Sequence, residues 1–219
     1  MPKTPSTPPA EALLAALPES LQPLARQGVV RAYRPGSLLI EEGTYGDTLY
    51  VLLKGAIKAF SSDDRGREII FGVYGPGEYV GEMSLDGGPR SVSIVTLEAT
   101  TCALISRATL RAHLATHPDF AFELIERVIR RVRVLTESAR GLALLDVYGR
   151  LVKLLNTLAV ATDDGLRAIR PRPTHIELAS RIGSSREMVS RLMKDLELGG
   201  YVVPSAGQFV LSRPLPSSW

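Results

Sequence analysis

The 219-residue chain has one cysteine, Cys102, and three histidines, His113, His117 and His175. A lone thiol excludes an internal disulfide, and it leaves an iron–sulfur cluster without the several thiolates it needs. The histidines flank or open helical stretches and share no metal-ligand spacing with the cysteine. We therefore read each as a surface or capping residue, and expect neither a metal nor a haem. No Ser–His–Asp set and no paired carboxylates converge, so catalysis is not expected. Long apolar runs are missing as well: none approaches the roughly 18 residues that a membrane-spanning helix requires. The opening "MPKTPSTPPAEALLAALP" lacks the charged-then-apolar layout of a secretory signal and reads as a loose tail. These absences predict a cytoplasmic protein without membrane association.

Strong net charge is also lacking, since 26 Lys and Arg stand against 23 Asp and Glu for a formal +3. The balance hides a division. From Val147 onward ten basic residues face six acids, a net of +4, whereas residues 1–146 carry −1. A positive C-terminal third suits a domain facing a polyanion, although on charge alone a solvated basic surface serves equally well. The hydrophobic content, 45%, is that of a chain able to bury a core.

From Val29 to about Ile105 short apolar runs rich in Val, Ile, Leu and Tyr alternate with glycine turns, the pattern of an antiparallel β-barrel or sandwich. "DDRG" within it is a hairpin turn in which Gly66 takes a positive φ. Before this block, "AEALLAALPESLQPLARQG" predicts short helices ending at Gly28. After Pro118 the period changes. Apolar residues at Ala121, Ile125, Val128, Val132, Leu135, Ala139 and Leu142 follow at intervals of 4, 3, 4, 3, 4 and 3, a heptad seam that faces a partner helix. A homodimer is expected from it, the other reading being one amphipathic helix inside a monomer. A second stripe, Phe122 and Ile129, is expected on the barrel, with Arg127, Arg130, Arg131 and Arg133 in solvent. Asp146 is a candidate N-cap and domain boundary. Beyond it, "TDDG" forms a turn, and "LRAIRPRP" gives a short strand stopped by prolines.

The segment "PTHIELASRIGSSREMVSRLMKDLELGGYVVPSAGQFVLS" carries denser signals. Thr174 and Glu177 form a capping box for a helix that stops at Gly183. A second helix, capped near Ser184 or Ser185, sets Val189, Leu192, Met193 and Leu196 on one face. Arg186, Glu187, Ser190, Arg191 and Lys194 lie largely on the other. A hairpin follows the two glycines, giving a helix-turn-helix with a wing. Arg186 and Glu187 stand in the first turn, where a recognition helix meets base edges: Arg pairs with guanine O6 and N7, and Glu accepts from cytosine N4. Lys194, Arg181 and the Ser and Thr hydroxyls, those of Thr174, Ser185 and Ser190 among them, suit phosphates. The expected partner is double-stranded DNA.

"GEMSLDGGPRS", residues 81–91, sets an acid and an arginine either side of a glycine- and proline-rich turn. An arginine behind such a turn supplies the fixed cation that a buried phosphate needs, and a carboxylate beside it must then face a hydroxyl instead. The other reading is a Glu–Arg ion pair that holds the turn, in a ligand-independent DNA binder whose β-domain is structural. With "RPGSLLIEEGTYGDTLYVLLKG", "LALLDVYGRLVKLL" and "GSSREMVSRLMKDLE", in that order, the chain from Leu21 to Leu211 resembles the Crp/Fnr transcription regulators. The resemblance implies an α+β fold: a tail and short helix (1–20), a cyclic-nucleotide-binding β-roll (21–117), a dimerisation helix (118–145) and a winged helix-turn-helix (146–219). It implies a nucleotide site at Gly81, Glu82, Met83, Arg90, Ser91 and Thr136, with Glu82 on the ribose 2′-hydroxyl and Arg90 on the cyclic phosphate. It also implies a GTGA half-site read by Arg186, Glu187 and Arg191, and RNA polymerase as a partner near Asp163 to Gly165. Where cyclic-AMP binders offer two adjacent polar groups to the adenine, this chain has Leu135 followed by Thr136. Losing one partner to a buried amino group costs about 1–3 kcal/mol, which keeps cyclic di-GMP open beside cyclic AMP as effector.

Overall fold

The alternation read in residues 29–105 folds into two antiparallel four-stranded sheets. The computed structural model describes residues 10–64, 66–162, 165–205 and 207–216. Two short helices, α1 (Ala10–Ala15) and α2 (Gln22–Ala25), precede the strands. The strands are β1 (Val29–Tyr33), β2 (Leu38–Ile40), β3 (Leu49–Lys54), β4 (Ile57–Ser62), β5 (Glu68–Tyr74), β6 (Tyr79–Val80), β7 (Ser93–Thr96) and β8 (Thr100–Ile105). One sheet has the order β1-β8-β3-β6 and the other β2-β7-β4-β5. Crossing between sheets in this way makes the jelly-roll arrangement expected from the sequence.

Strand β3 shows why the sheets stack. Leu49, Val51 and Leu53 point to one face, into a cluster with Leu14, Leu21 and Leu24 of the N-terminal helices, while Leu52 points to the other, among Ile40, Ile57, Ile94 and Cys102. The period of two therefore serves two apolar layers, helices on one side and the second sheet on the other. Burial pushes the Cys102 thiol up to about 12, so it behaves as a small apolar side chain. Gly66 has φ +72°, as the hairpin requires. Residues 1–9, which hold most of the opening tail, lie outside the described residues.

After α3 (Arg107–Thr116) comes the 26-residue α4 (Asp119–Leu144). Its seam is accessible on this chain: Ile125, Val128, Val132, Leu135 and Leu142 are all exposed. The second stripe is not where periodicity put it. Phe122 and Ile129 are exposed, and the residues that enter the roll's core are Phe120 and Leu124. Arg127 is half-buried rather than wet, its guanidinium 4.2 Å over the Tyr79 ring and donating toward Gly77 O at 3.4 Å. His113 departs from its surface assignment too. It is buried, stacked 4.2 Å from His117 and edge-on to Phe120, with its pKa lowered by burial first and by His117 second.

The chain divides into two units, residues 1–61 with 70–130, and residues 62–69 with 131–219. In the second, Asp146 caps α5 (Val147–Leu158) by accepting from Gly149 N–H at 2.7 Å. Short strands β9 (Val160–Ala161) and β10 (Arg167–Ile169) lead to α6 (His175–Ile182) and α7 (Arg186–Leu198). The wing hairpin is β11 (Val202–Ser205) with β12 (Gln208–Leu211), in a sheet ordered β11-β12-β10-β9. Leu151, Leu155, Leu178, Val189, Met193, Leu196 and Phe209 form its core. Asp163 and Asp164 of the "TDDG" stretch lie outside the described residues.

Thr174 accepts from Glu177 N–H at 3.2 Å while Glu177 Oε2 accepts from Thr174 N–H at 2.6 Å, completing the capping box. Thr174→Ala should lower unfolding stability by about 1 kcal/mol through loss of this cap. A fall in the urea midpoint with an unchanged slope would bear this out; an unchanged midpoint would contradict it.

Candidate functional site

Two groups of side chains carry the chemistry, one in each unit. In the first, the chain leaves β6 at Gly81, whose φ of +97° turns it into a single 3-10 turn, Glu82–Ser84. A β-carbon at Gly81 would lie 2.6 Å from Thr48 O and 2.8 Å from an Arg90 guanidinium nitrogen. Glycine is needed here for both backbone angle and space. Gly81→Ala should therefore displace Arg90 and lower unfolding stability by about 1–3 kcal/mol. A fall in the urea midpoint checks this, and an unchanged midpoint would contradict it.

Glu82 and Arg90 are both nearly closed to solvent, at 8% and 7% exposure. Arg90 donates to Gly81 O and to Thr48 O, each at 2.9 Å. Its backbone is clasped by the loop between β2 and β3: Arg90 N–H donates to Thr44 O, and Gly43 N–H to Arg90 O, both at 2.8 Å. Among the described residues no carboxylate forms an ion pair with Arg90. Burial lowers its pKa, opposed in order by Tyr50, Asp47 and Glu82. The turn-holding ion pair is thus not what fixes Arg90; backbone carbonyls do. A buried guanidinium held by carbonyl dipoles, with Asp47 and Glu82 acting on it without closing an ion pair, can still receive an anion.

Ser91 and Met83 are exposed at the surface of the 81–91 turn, where the Ser91 hydroxyl lies 3.4 Å from Met83 Sδ. Gly81, Glu82, Met83, Arg90 and Ser91 thus gather around one turn. Thr136 belongs to the second unit, exposed on α4, its hydroxyl donating to Val132 O at 2.9 Å. Sequence reasoning missed the Gly43–Thr48 loop. Its signal was present in "GTYGD", whose Gly46 lies against Arg90: a β-carbon there would sit 3.1 Å from the guanidinium.

In the second unit, Gly183 at φ +62° ends α6, and Ser185 starts α7 by accepting from Met188 N–H at 3.2 Å. Val189, Met193 and Leu196 are buried, which turns Arg186, Glu187, Arg191 and Lys194 to solvent. Among the described residues, Arg181, Arg186, Arg191 and Lys194 are held in no ion pair and no side-chain hydrogen bond. Exposed, uncommitted cations on and beside a capped helix are free to meet phosphates and base edges. The hydroxyls of Thr174 and Ser185 already serve as helix caps. Ser190 is half-buried and tied to His175, whose Nδ1 is 2.9 Å from Ser190 Oγ. His175 therefore bridges α6 and α7 instead of lying free on the surface. A further residue, Arg150, went unread: it donates to Leu145 O at 2.8 Å and to Ile182 O at 2.9 Å, tying the link between α4 and α5 to the end of α6.

Known proteins match both halves of this arrangement. Residues 30–117 match the family model of the cyclic nucleotide-binding domain, and residues 149–214 that of the Crp-like helix-turn-helix domain. The cAMP-activated global transcriptional regulator CRP of Salmonella typhimurium is 33% identical over 175 residues, covering 77% of this chain and 82% of that protein. The chain belongs to the Crp/Fnr family of transcription regulators. Another relative, the CRP-like cAMP-activated global transcriptional regulator of Mycobacterium tuberculosis, is 30% identical over 193 residues, covering 86% of this chain and 83% of that one. The c-di-GMP responsive global regulator CLP of Xanthomonas campestris superposes with a TM-score of 0.77 at 27% identity, covering 88% of this chain and 97% of that one.

Family membership gives the coarse function directly: this Crp/Fnr protein is a cyclic-nucleotide-responsive, DNA-binding transcription regulator. The roll, the long helix and the winged helix-turn-helix are the family's architecture, and the family is one of regulators rather than enzymes. Among the described residues no helix is long and apolar enough to cross a membrane.

Proposed function

We propose that this regulator is a cytoplasmic homodimer that binds cyclic AMP in its β-roll and, when loaded, reads a two-fold symmetric DNA site with GTGA half-sites. In this reading residues 21–117 bind the nucleotide, 118–145 join the subunits and 146–219 bind DNA. The observation that carries the ligand assignment is Arg90, a buried cation fixed by two carbonyls, with Glu82 beside it. Arg90 and the Ser91 hydroxyl take the cyclic phosphate, and Glu82 accepts from the ribose 2′-hydroxyl; Gly81 and Met83 shape the turn. The exposed heptad seam on α4 supports the homodimer, because leaving Ile125, Val132 and Leu142 in water is unfavourable by tens of calories per Å².

The mechanism is a population shift. Ligand that touches the roll and Thr136 of the second subunit favours the state whose two α7 helices fit successive major grooves, roughly 34 Å apart. There Arg186, Glu187 and Arg191 read bases, while Lys194, Thr174, Ser185 and Ser190 complete the contact with DNA. RNA polymerase is the proposed downstream partner.

One residue favours a second effector. Leu135, 40% exposed on the seam, offers adenine no hydrogen bond, and a c-di-GMP responsive regulator lies among the structural relatives. Calorimetric titration with each nucleotide tests the assignment. Cyclic AMP should bind with measurable heat, and Leu135→Ser should tighten it roughly 10- to 100-fold by restoring the second polar partner. Heat with cyclic di-GMP alone, unaltered by Leu135→Ser, would transfer the assignment to the dinucleotide.

A further inference from the structure

Ser190 lies half-buried beside the exposed face of α7, one turn after Arg186 and one turn before Lys194. Its hydroxyl is already engaged, 2.9 Å from Nδ1 of His175, the first residue of α6. The other ring nitrogen, Nε2, is buried and makes no hydrogen bond among the described residues. Resting on the reading of α7 as the base-reading helix, we propose that His175 sets the hydrogen-bonding polarity of Ser190, and through it the base accepted at Ser190's position in each half-site.

A serine hydroxyl has one proton to give and lone pairs to receive, whereas a neutral imidazole gives at one nitrogen and receives at the other. The two tautomers therefore present different serines to the DNA. With the proton on Nε2, that buried N–H has no acceptor, and Ser190 spends its own proton on Nδ1, leaving only an acceptor for a base. With the proton on Nδ1, His175 donates to Ser190 Oγ, Nε2 is a bare acceptor, and the serine proton is free to point outward. The second arrangement avoids a buried N–H without an acceptor, a state rarely found in folded proteins, and is the one we adopt.

Ser190 is then a donor. In the major groove a donor meets acceptors on guanine (N7, O6), adenine (N7) and thymine (O4), but on cytosine it meets the N4 amino group, itself a donor. The base facing Ser190 is consequently restricted against cytosine. His175 touches no base in this scheme; it is a positioning residue acting through Ser190.

The test is a duplex panel in which every base pair of the half-site is varied, titrated with the full-length protein at one salt concentration, with saturating cyclic AMP and without nucleotide. Wild type should show one position at which cytosine is disfavoured roughly 3- to 10-fold, the equivalent of one neutral hydrogen bond. Ser190→Ala and His175→Phe should each flatten that same position and leave the others unchanged. The double variant should add nothing to either single one. His175→Asn, which keeps an N–H donor near Nδ1, should restore the discrimination, a recovery that a merely structural role would not produce. If Ser190→Ala flattens a position that His175→Phe leaves intact, or if His175→Phe weakens every duplex and random DNA equally, the inference is overturned. A wild-type protein with no preference at any position fails differently, because it removes the base-reading role of α7 itself.

Discussion

Replacing Arg90 by Ala is expected to lower nucleotide affinity roughly 100-fold or more while changing the stability of the protein little. The asymmetry follows from the two jobs of the side chain. Charge-assisted hydrogen bonds to a phosphate contribute about 1.5–3 kcal/mol each, and the guanidinium offers a fork of them. Against this, Arg90 is held in the fold by two carbonyl bonds, and it keeps a charge at 7% exposure without an ion-pair partner among the described residues. Truncation removes a desolvated charge along with those bonds, so the effects on folding oppose each other. Arg90→Lys should be intermediate, retaining charge without the fork. Calorimetric titration of both variants, beside urea melts without nucleotide, measures the two effects separately. Wild-type affinity in Arg90→Ala would remove the phosphate role of the 81–91 turn.

The second large effect belongs to Arg186, exposed in the first turn of α7 and uncommitted among the described residues. Arg186→Ala should weaken a GTGA duplex by about 1–3 kcal/mol, or roughly 5- to 150-fold, and random DNA hardly at all. Lys194→Ala should behave in the opposite sense. A phosphate contact carries no sequence information, so its loss weakens both duplexes about equally and flattens the salt dependence. Equal losses on both duplexes from Arg186→Ala would reassign Arg186 to the backbone.

What the sequence made legible was local. The caps at Asp146, Thr174 and Ser185 are readable because each side chain meets a backbone N–H three residues on, a relation that spacing alone encodes. The turn at Gly66 and the stop at Gly183 are of the same kind. The two sheets were legible as a class but not as an order, since β1 pairs with β8 across most of the roll.

The unread features depend on segments distant in sequence. On α4 two apolar stripes compete at helical spacing, and only the packed roll decides that Phe120 and Leu124 go inward while Phe122 stays out. Arg127 was assigned to solvent because charge dominates a sequence reading, yet its stem and guanidinium cover Tyr79. His113 is buried and His175 bridges two helices because of what packs on them, Phe120 and Ser190 respectively. The loop clasping Arg90 lies more than 40 residues earlier in the chain, as its bond to Thr48 O shows.

In this regulator nucleotide binding at Arg90 is proposed to control DNA binding at α7. Fluorescence anisotropy of a labelled palindromic GTGA duplex, titrated with full-length protein at fixed salt with and without cyclic AMP, tests it directly. Wild type should bind the duplex more tightly with cyclic AMP, and Arg90→Ala should show no response to the nucleotide. Tight wild-type binding that is indifferent to both cyclic AMP and cyclic di-GMP would contradict it.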